Sequence, residues 1–139
     1  MRLYPPAHTT SRLALADDVV GGVPIAKGTV VVISPWLMHR HKAYWSNPDS
    51  FDPENFSAQS QAARPRYAYL PFGAGPRICI GAGFAMTEAI LILATIAQHF
   101  RFRLKPGTMV RPLAKITLRP QDGLPMLAEA VEHKAMEGV

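Results

Sequence analysis

Between Ala82 and Phe100 apolar side chains fall on nearly every side of a helical wheel: Phe84, Ala85, Ile90, Leu91, Leu93, Ile96, Ala97 and Phe100. A helix of that kind is a buried one, because a surface helix keeps a polar face. The residues just ahead constrain the chain as strongly: Gly73, Gly75 and Gly81 surround Cys79, the one cysteine, with Pro71 and Pro76 bracing the loop. Thirteen prolines and ten glycines in 139 residues argue against a simple bundle, since each proline removes a backbone donor and fixes a dihedral. With 48% hydrophobic residues there is material for a core. The expectation is an α+β arrangement of short β-hairpins, a long irregular segment, a cysteine-bearing loop and one long buried helix.

The first third reads as strand. Leu13 and Leu15 alternate with small or polar residues, Gly21-Gly22 supplies a turn, Lys27-Gly28 another, and residues 29–33 are β-branched and apolar. Ser34-Pro35 opens a short helix or turn, with serine as cap and proline in the first turn. Asn47-Pro48-Asp49 and Asp52-Pro53-Glu54 then punctuate an irregular, ordered stretch running to Tyr69. Loops of that length are usually functional or packed on something else. The helix should run from about Ala82 to His99, and residues 117–120 and 124–127 should form a last hairpin around Asp122-Gly123.

Fifteen basic against ten acidic residues give a formal charge of +5. No dense basic run interleaves with aromatics, so the excess does not point to nucleic acid. One cysteine allows no internal disulfide and no Cys-rich zinc site, which fits a reducing, cytoplasmic compartment. The strongly apolar run Ala89 to Ala97 is shorter than the ~20 residues that span a bilayer, and no membrane span is expected in this chain. His39 and His41 are spaced to face one side of an extended segment, but two ligands are too few for a metal, which favours a structural or surface role. Glu88 should mark the wet edge of the apolar helix.

Cys79 carries the chemistry. A glycine-rich loop precedes it and a helix begins directly after it, so its sulfur lies near unpaired backbone N–H donors that suit a thiolate. An anionic sulfur in an apolar pocket is what a haem iron needs when O–O cleavage is to follow. Gly75 and Gly81 allow close approach of a flat macrocycle, and Phe72 can cover the loop and shield the sulfur. Arg77, two residues before the cysteine, carries a guanidinium suited to a propionate.

The run Phe72-Gly73-Ala74-Gly75-Pro76-Arg77-Ile78-Cys79-Ile80-Gly81 resembles the haem-ligand signature of the cytochrome P450 family, Phe-x-x-Gly-x-Arg-x-Cys-x-Gly, with each fixed position met. The residues from Ala82 to Glu88 resemble the start of that family's proximal helix. Arg2-Leu3-Tyr4-Pro5-Pro6 looks like the arginine end of the family's Glu-x-x-Arg motif with its trailing prolines, the glutamate being expected ahead of Met1. The resemblance implies the C-terminal, haem-binding portion of a larger, mainly helical domain, occupying residues 1–139. It implies haem b as cofactor, held by Cys79 as axial iron ligand, by Arg77 and Arg12 at the propionates, and by Phe72, Gly73, Gly75, Ile80 and Gly81 around the ring. It also implies a monooxygenase reaction on a small, apolar organic substrate, with a ferredoxin or flavin-containing reductase as electron donor. No catalytic residue beyond the haem ligand is expected in this part. Asp52-Pro53-Glu54-Asn55-Phe56 resembles the family's Pro-Glu-Arg-Phe segment but carries Asn55 where the arginine stands, so the usual ionic cluster with Arg2 must be altered.

Two readings compete. One is a haem-binding fragment without turnover, which shares each of these local features. The other is a cysteine nucleophile with a histidine base folded in from elsewhere, since a thiolate at a helix start also suits that chemistry. A dinucleotide loop fails because Ile78 or Met86 would stand where the third glycine belongs, and no Gly-Lys-Ser or Gly-Lys-Thr marks a phosphate loop.

Overall fold

The computed structural model describes residues 1–131. Two compact units divide them, the first comprising Met1–Ile78 with Ala114–Arg119 and the second comprising Cys79–Leu113 and continuing from Pro120.

In the first unit, β1 (Thr10–Leu13) pairs antiparallel with β4 (Val30–Ile33), and β2 (Asp18–Val20) pairs antiparallel with β3 (Val23–Ile25). The turns fall where the glycines require them. Gly21 and Gly22 both have positive φ (58° and 82°), the combination a two-residue hairpin turn needs. Gly28 (φ 84°) makes the turn before β4, and its N–H is held by Ala14 O at 2.8 Å. Helix α1 (Pro35–Met38) starts as its sequence dictates: Ser34 Oγ accepts from Leu37 N–H and Pro35 occupies the first turn.

The long stretch to Tyr69 is ordered by local caps. Asp52 accepts from Glu54 N–H at the start of the 3-10 turn Pro53–Phe56, and Ser57 accepts from Ser60 N–H at the start of α2 (Ala58–Ala63). This stretch encloses the unit's core, which is aromatic and polar where an aliphatic one would be commoner. Trp45, His39, Pro5 and Pro35 are almost wholly buried, and Arg2 and Asn55 are buried beside them. Phe56 and Tyr69 pack on Trp45, with ring centroids at 5.8 and 5.9 Å.

The second unit is built on α3 (Ala82–His99), which has the bounds its sequence predicts. Strand β5 (Phe100–Leu104) follows without a break and pairs antiparallel with β8 (Met126–Ala130). Here two expectations are corrected. Residues 118–120 and 126–130 do not form a hairpin around Gly123. The former are β7 (Leu118–Pro120), which pairs with β6 (Pro112–Ala114), and the latter join β5. The strand β5 was hidden because Phe100, Phe102 and Leu104 continue the apolar content of the helix, and only their alternation with Arg101 and Arg103 marks a change of period. Second, α3 is not buried: no residue of it is, and Phe84, Ile90, Leu91 and Leu93 are each more than half exposed. The helix and its apolar content are as expected, but none of its residues is buried by the described residues.

Candidate functional site: the cysteine loop

The loop between Tyr69 and α3 takes its course from glycine and proline. Gly73 (φ 75°) and Gly75 (φ 69°) lie in the left-handed region that side chains resist, and Gly75–Arg77 closes a 3-10 turn with Ile78 N–H donating to Gly75 O at 3.0 Å. Pro76 fixes the first turn of that element. Phe72 and Gly73 are half-buried, whereas Gly75 and Arg77 are exposed. The Arg77 guanidinium makes no hydrogen bond or ion pair among the described residues. Arg12 lies on β1 opposite Val31, half-buried, donating to Thr10 Oγ1 (3.2 Å) and Ser11 O (2.8 Å). It lines a cavity of about 440 Å³ with Leu13, Leu15, Ile25, Val31 and Ile33.

Cys79, Ile80 and Gly81 begin the second unit. The Cys79 thiol is free and exposed, and its carbonyl accepts from Ala82 N–H at 3.3 Å as the helix starts. Gly81 is the N-cap residue of α3 and offers no side-chain cap to the helix's first amides. A Cβ at Gly81 would stand 3.9 Å from Cys79 Sγ, an ordinary contact. Ile80 is fully exposed and Ile78 more than half so. The sulfur is thus an open, soft donor flanked by bare apolar groups.

That donor set defines what it can hold. Among the described residues there is no cluster of three or more His, Cys, Asp or Glu able to hold a metal ion. A single sulfur can serve a metal whose remaining ligands arrive with it, as those of a macrocycle do. The residues present fit such a group. His39 and His41 add nothing to it, and the extended geometry expected of them is corrected. His39 is the C-cap residue of α1 and wholly buried, while His41 is exposed and stacked on Tyr44 at 4.8 Å.

Charge in the first unit is handled without the ionic cluster. The Arg2 guanidinium donates to three carbonyls, His39 O (2.9 Å), Pro48 O (2.6 Å) and Ser50 O (2.5 Å), and lies 5.0 Å from the Trp45 ring centroid. Asn55 Nδ2 donates to Ser46 O and Asp52 O, and Arg64 donates to Asn55 O at 2.7 Å with its guanidinium 3.9 Å over Trp45. Sequence reasoning takes Arg64, with Arg66, as part of a basic surface for an electron donor, and misses Trp45 and the packing of Arg64 on it. Their only signal was a tryptophan inside a polar, proline-punctuated stretch, where a large ring must find cover.

One open cysteine at the start of an apolar helix, behind a glycine-proline loop, is compatible with a metal that arrives in its own macrocycle. The cytochrome P450 family model matches residues 1–126, and the chain belongs to that family, whose members are haem-dependent monooxygenases. It is 44% identical over 123 residues to the putative cytochrome P450 132 of Mycobacterium bovis, covering 88% of this chain and 26% of that one. It is 42% identical over 118 residues to cyclooctatin synthase of Streptomyces melanosporofaciens, covering 85% and 26%. Thromboxane-A synthase of Sus scrofa is 40% identical over 127 residues, covering 89% and 24%. The chain therefore spans about a quarter of the length of these relatives. Among solved structures, the cytochrome P450DA heme domain superposes with a TM-score of 0.87 at 33% identity, covering 94% of this chain and 29% of that one. Retinoic acid bound cyanobacterial CYP120A1 superposes with a TM-score of 0.88 at 30% identity, covering 94% and 30%.

These matches bear on α3. Its 18 residues, with mean hydropathy 1.3, are long and apolar enough to cross a bilayer by length and composition, more so than the run from Ala89 to Ala97 alone. A core helix of a larger protein passes the same test, and the likeness to a heme domain favours a core helix.

Proposed function

We propose that this chain is the C-terminal, iron-ligating part of a haem-thiolate monooxygenase in which Cys79 Sγ is the axial ligand of haem b. The observation that carries the reading is the exposed Cys79 thiol, placed by a loop meeting each fixed position of the family signature from Phe72 to Gly81. Bound there, haem supplies the redox and oxygen chemistry by which one oxygen atom enters an organic substrate. The chain's own residues bind and orient it. Cys79 donates an electron-rich sulfur, and the bare N-terminal amides of α3 sit close enough in sequence to temper that charge. Gly75 and Gly81 keep the approach clear, Gly73 sets the turn, and Ile80 and Phe72 supply apolar cover. Arg77 and Arg12 offer guanidinium groups to the propionates. Electrons come from a ferredoxin or a flavin-containing reductase, whose acidic surface suits a chain of net charge +5. The substrate is a small, apolar organic molecule, and the protein works in the cytoplasm.

Alkylation tests this against the cysteine-nucleophile alternative. In the full-length protein, loading haem should slow iodoacetamide modification of Cys79 by on the order of a hundredfold, because donation to iron draws charge off the sulfur and the bound group blocks approach to it. Equal rates with and without haem would leave the sulfur free and favour the nucleophile.

Arg77→Leu should separate holding from tuning. The variant loses much of its haem on gel filtration, while the haem retained keeps the thiolate spectrum of the parent. Parent-like haem content would remove Arg77 from the propionate site.

A further inference from the structure

The His39 side chain is fully buried and uses both ring nitrogens. Nε2 lies 2.8 Å from Leu70 N and Nδ1 lies 3.2 Å from Arg2 O. The partners fix the tautomer. A backbone N–H can only donate, so Nε2 carries the lone pair, and a carbonyl can only accept, so Nδ1 carries the proton. Burial, with smaller contributions from the N-terminal amine, Arg2 and Arg40, pulls the imidazole down to about 4, against the raising effect of its bond to Arg2 O. It is neutral at physiological pH, as this pairing requires.

Three distant stretches meet on this ring. The Arg2 guanidinium returns a bond to His39 O at 2.9 Å, so residues 2 and 39 are doubly tied. Leu70 is held from both sides. Its N–H goes to His39, and its carbonyl accepts Gly73 N–H at 3.2 Å, closing the turn that begins the loop. Gly73 is the first residue of the loop with positive φ, so an error in Leu70 would be passed into the turn it sets. The ring also packs on Tyr69 and Trp45, with centroids at 5.0 and 6.4 Å. Packing of that kind needs an aromatic shape. The Leu70 bond needs a nitrogen.

We propose that His39 is a positioning residue for the haem-ligand loop: through Leu70 and the Leu70–Gly73 turn it sets the course from which Cys79 is presented to iron. The inference rests on Cys79 being the haem ligand. It predicts a difference between two substitutions. His39→Phe keeps the ring packing but leaves Leu70 N–H and Arg2 O without partners. His39→Gln loses the ring, yet the two polar atoms of a carboxamide are spaced much like the two imidazole nitrogens, so its oxygen can accept from Leu70 and its NH2 can donate to Arg2.

The experiment uses the haem-loaded, full-length protein and its two variants, reading the ferrous carbon monoxide spectrum and the hydrogen exchange of the Leu70 amide. In His39→Phe the short-wavelength form lacking thiolate ligation should rise several-fold, and the Leu70 amide should exchange roughly tenfold faster, as for a buried bond lost. His39→Gln should restore both toward the parent. If the Phe variant keeps the parent's spectrum, or the Gln variant loses thiolate ligation as far as Phe does, the proposal is overturned. Where the Phe variant does not accumulate, His39→Gln decides alone: a parent-like spectrum supports the role and a lost one refutes it. A parent protein without the thiolate band would overturn the haem-ligand reading itself, and this inference with it.

Discussion

Expressed alone, the 139-residue chain gives no cooperative thermal transition and no partner-driven oxidation of a substrate. The expectation comes from α3. Phe84, Ile90, Leu91, Ile92, Leu93 and Ile96 are each between about a third and three quarters exposed. Full burial of such a side chain stabilises by ~1.5–3 kcal/mol, so roughly half of that is forgone at each, on the order of 5–9 kcal/mol together. That equals much of the ~5–15 kcal/mol by which a whole domain is stable. An exposed apolar stripe of this size draws chains together, and light scattering should show aggregation or a loosely packed state that binds haem weakly. One reason that the sequence suggests for the same outcome is weaker in the structure. Arg2, expected to lack a countercharge, has its guanidinium satisfied by three carbonyls and an aromatic ring. The first unit thus has its own satisfied core, and instability is expected to lie with the second. A sharp calorimetric transition for the isolated chain, together with turnover, would mean that α3 needs no cover.

Cys79→Ala, made in the full-length protein, abolishes thiolate ligation and oxygenase turnover while leaving the fold in place. The side chain is exposed and its backbone carbonyl does the structural work of starting α3, so removing the sulfur costs little stability. No second cysteine stands in these 139 residues to take its place. Turnover should fall to background, because electron donation from the sulfur is what the oxygen chemistry depends on. The red-shifted Soret band of the reduced carbon monoxide complex should vanish with it.

How far the residues themselves disclosed this outcome depended on how local each signal was. Turns needing positive φ, a serine before a proline, and an apolar helix are written in a few adjacent residues, and Gly22, Gly28, Ser34 and Ala82–His99 all behave as their neighbours dictate. The pairing of β5 with β8 joins residues separated by the whole β6–β7 excursion, and no local pattern chose it over a hairpin at Gly123. The signature around Cys79 lies in ten consecutive residues, and the family it resembles is the one to which the chain belongs. For His39 a structural role was legible but its partners were not, since Arg2 and Leu70 lie 37 and 31 residues away and a lone histidine in sequence carries no sign of either. Arg64 likewise reaches Trp45 only after the intervening stretch has folded back.

Iron-edge X-ray absorption on the haem-loaded, full-length protein and its Cys79→Ala variant tests the central claim most directly, because it counts sulfur bound to iron without recourse to activity. One sulfur is expected among the iron's nearest neighbours in the parent and none in the variant. A parent whose iron sees only nitrogen and oxygen, or a variant that keeps its sulfur neighbour, would contradict it.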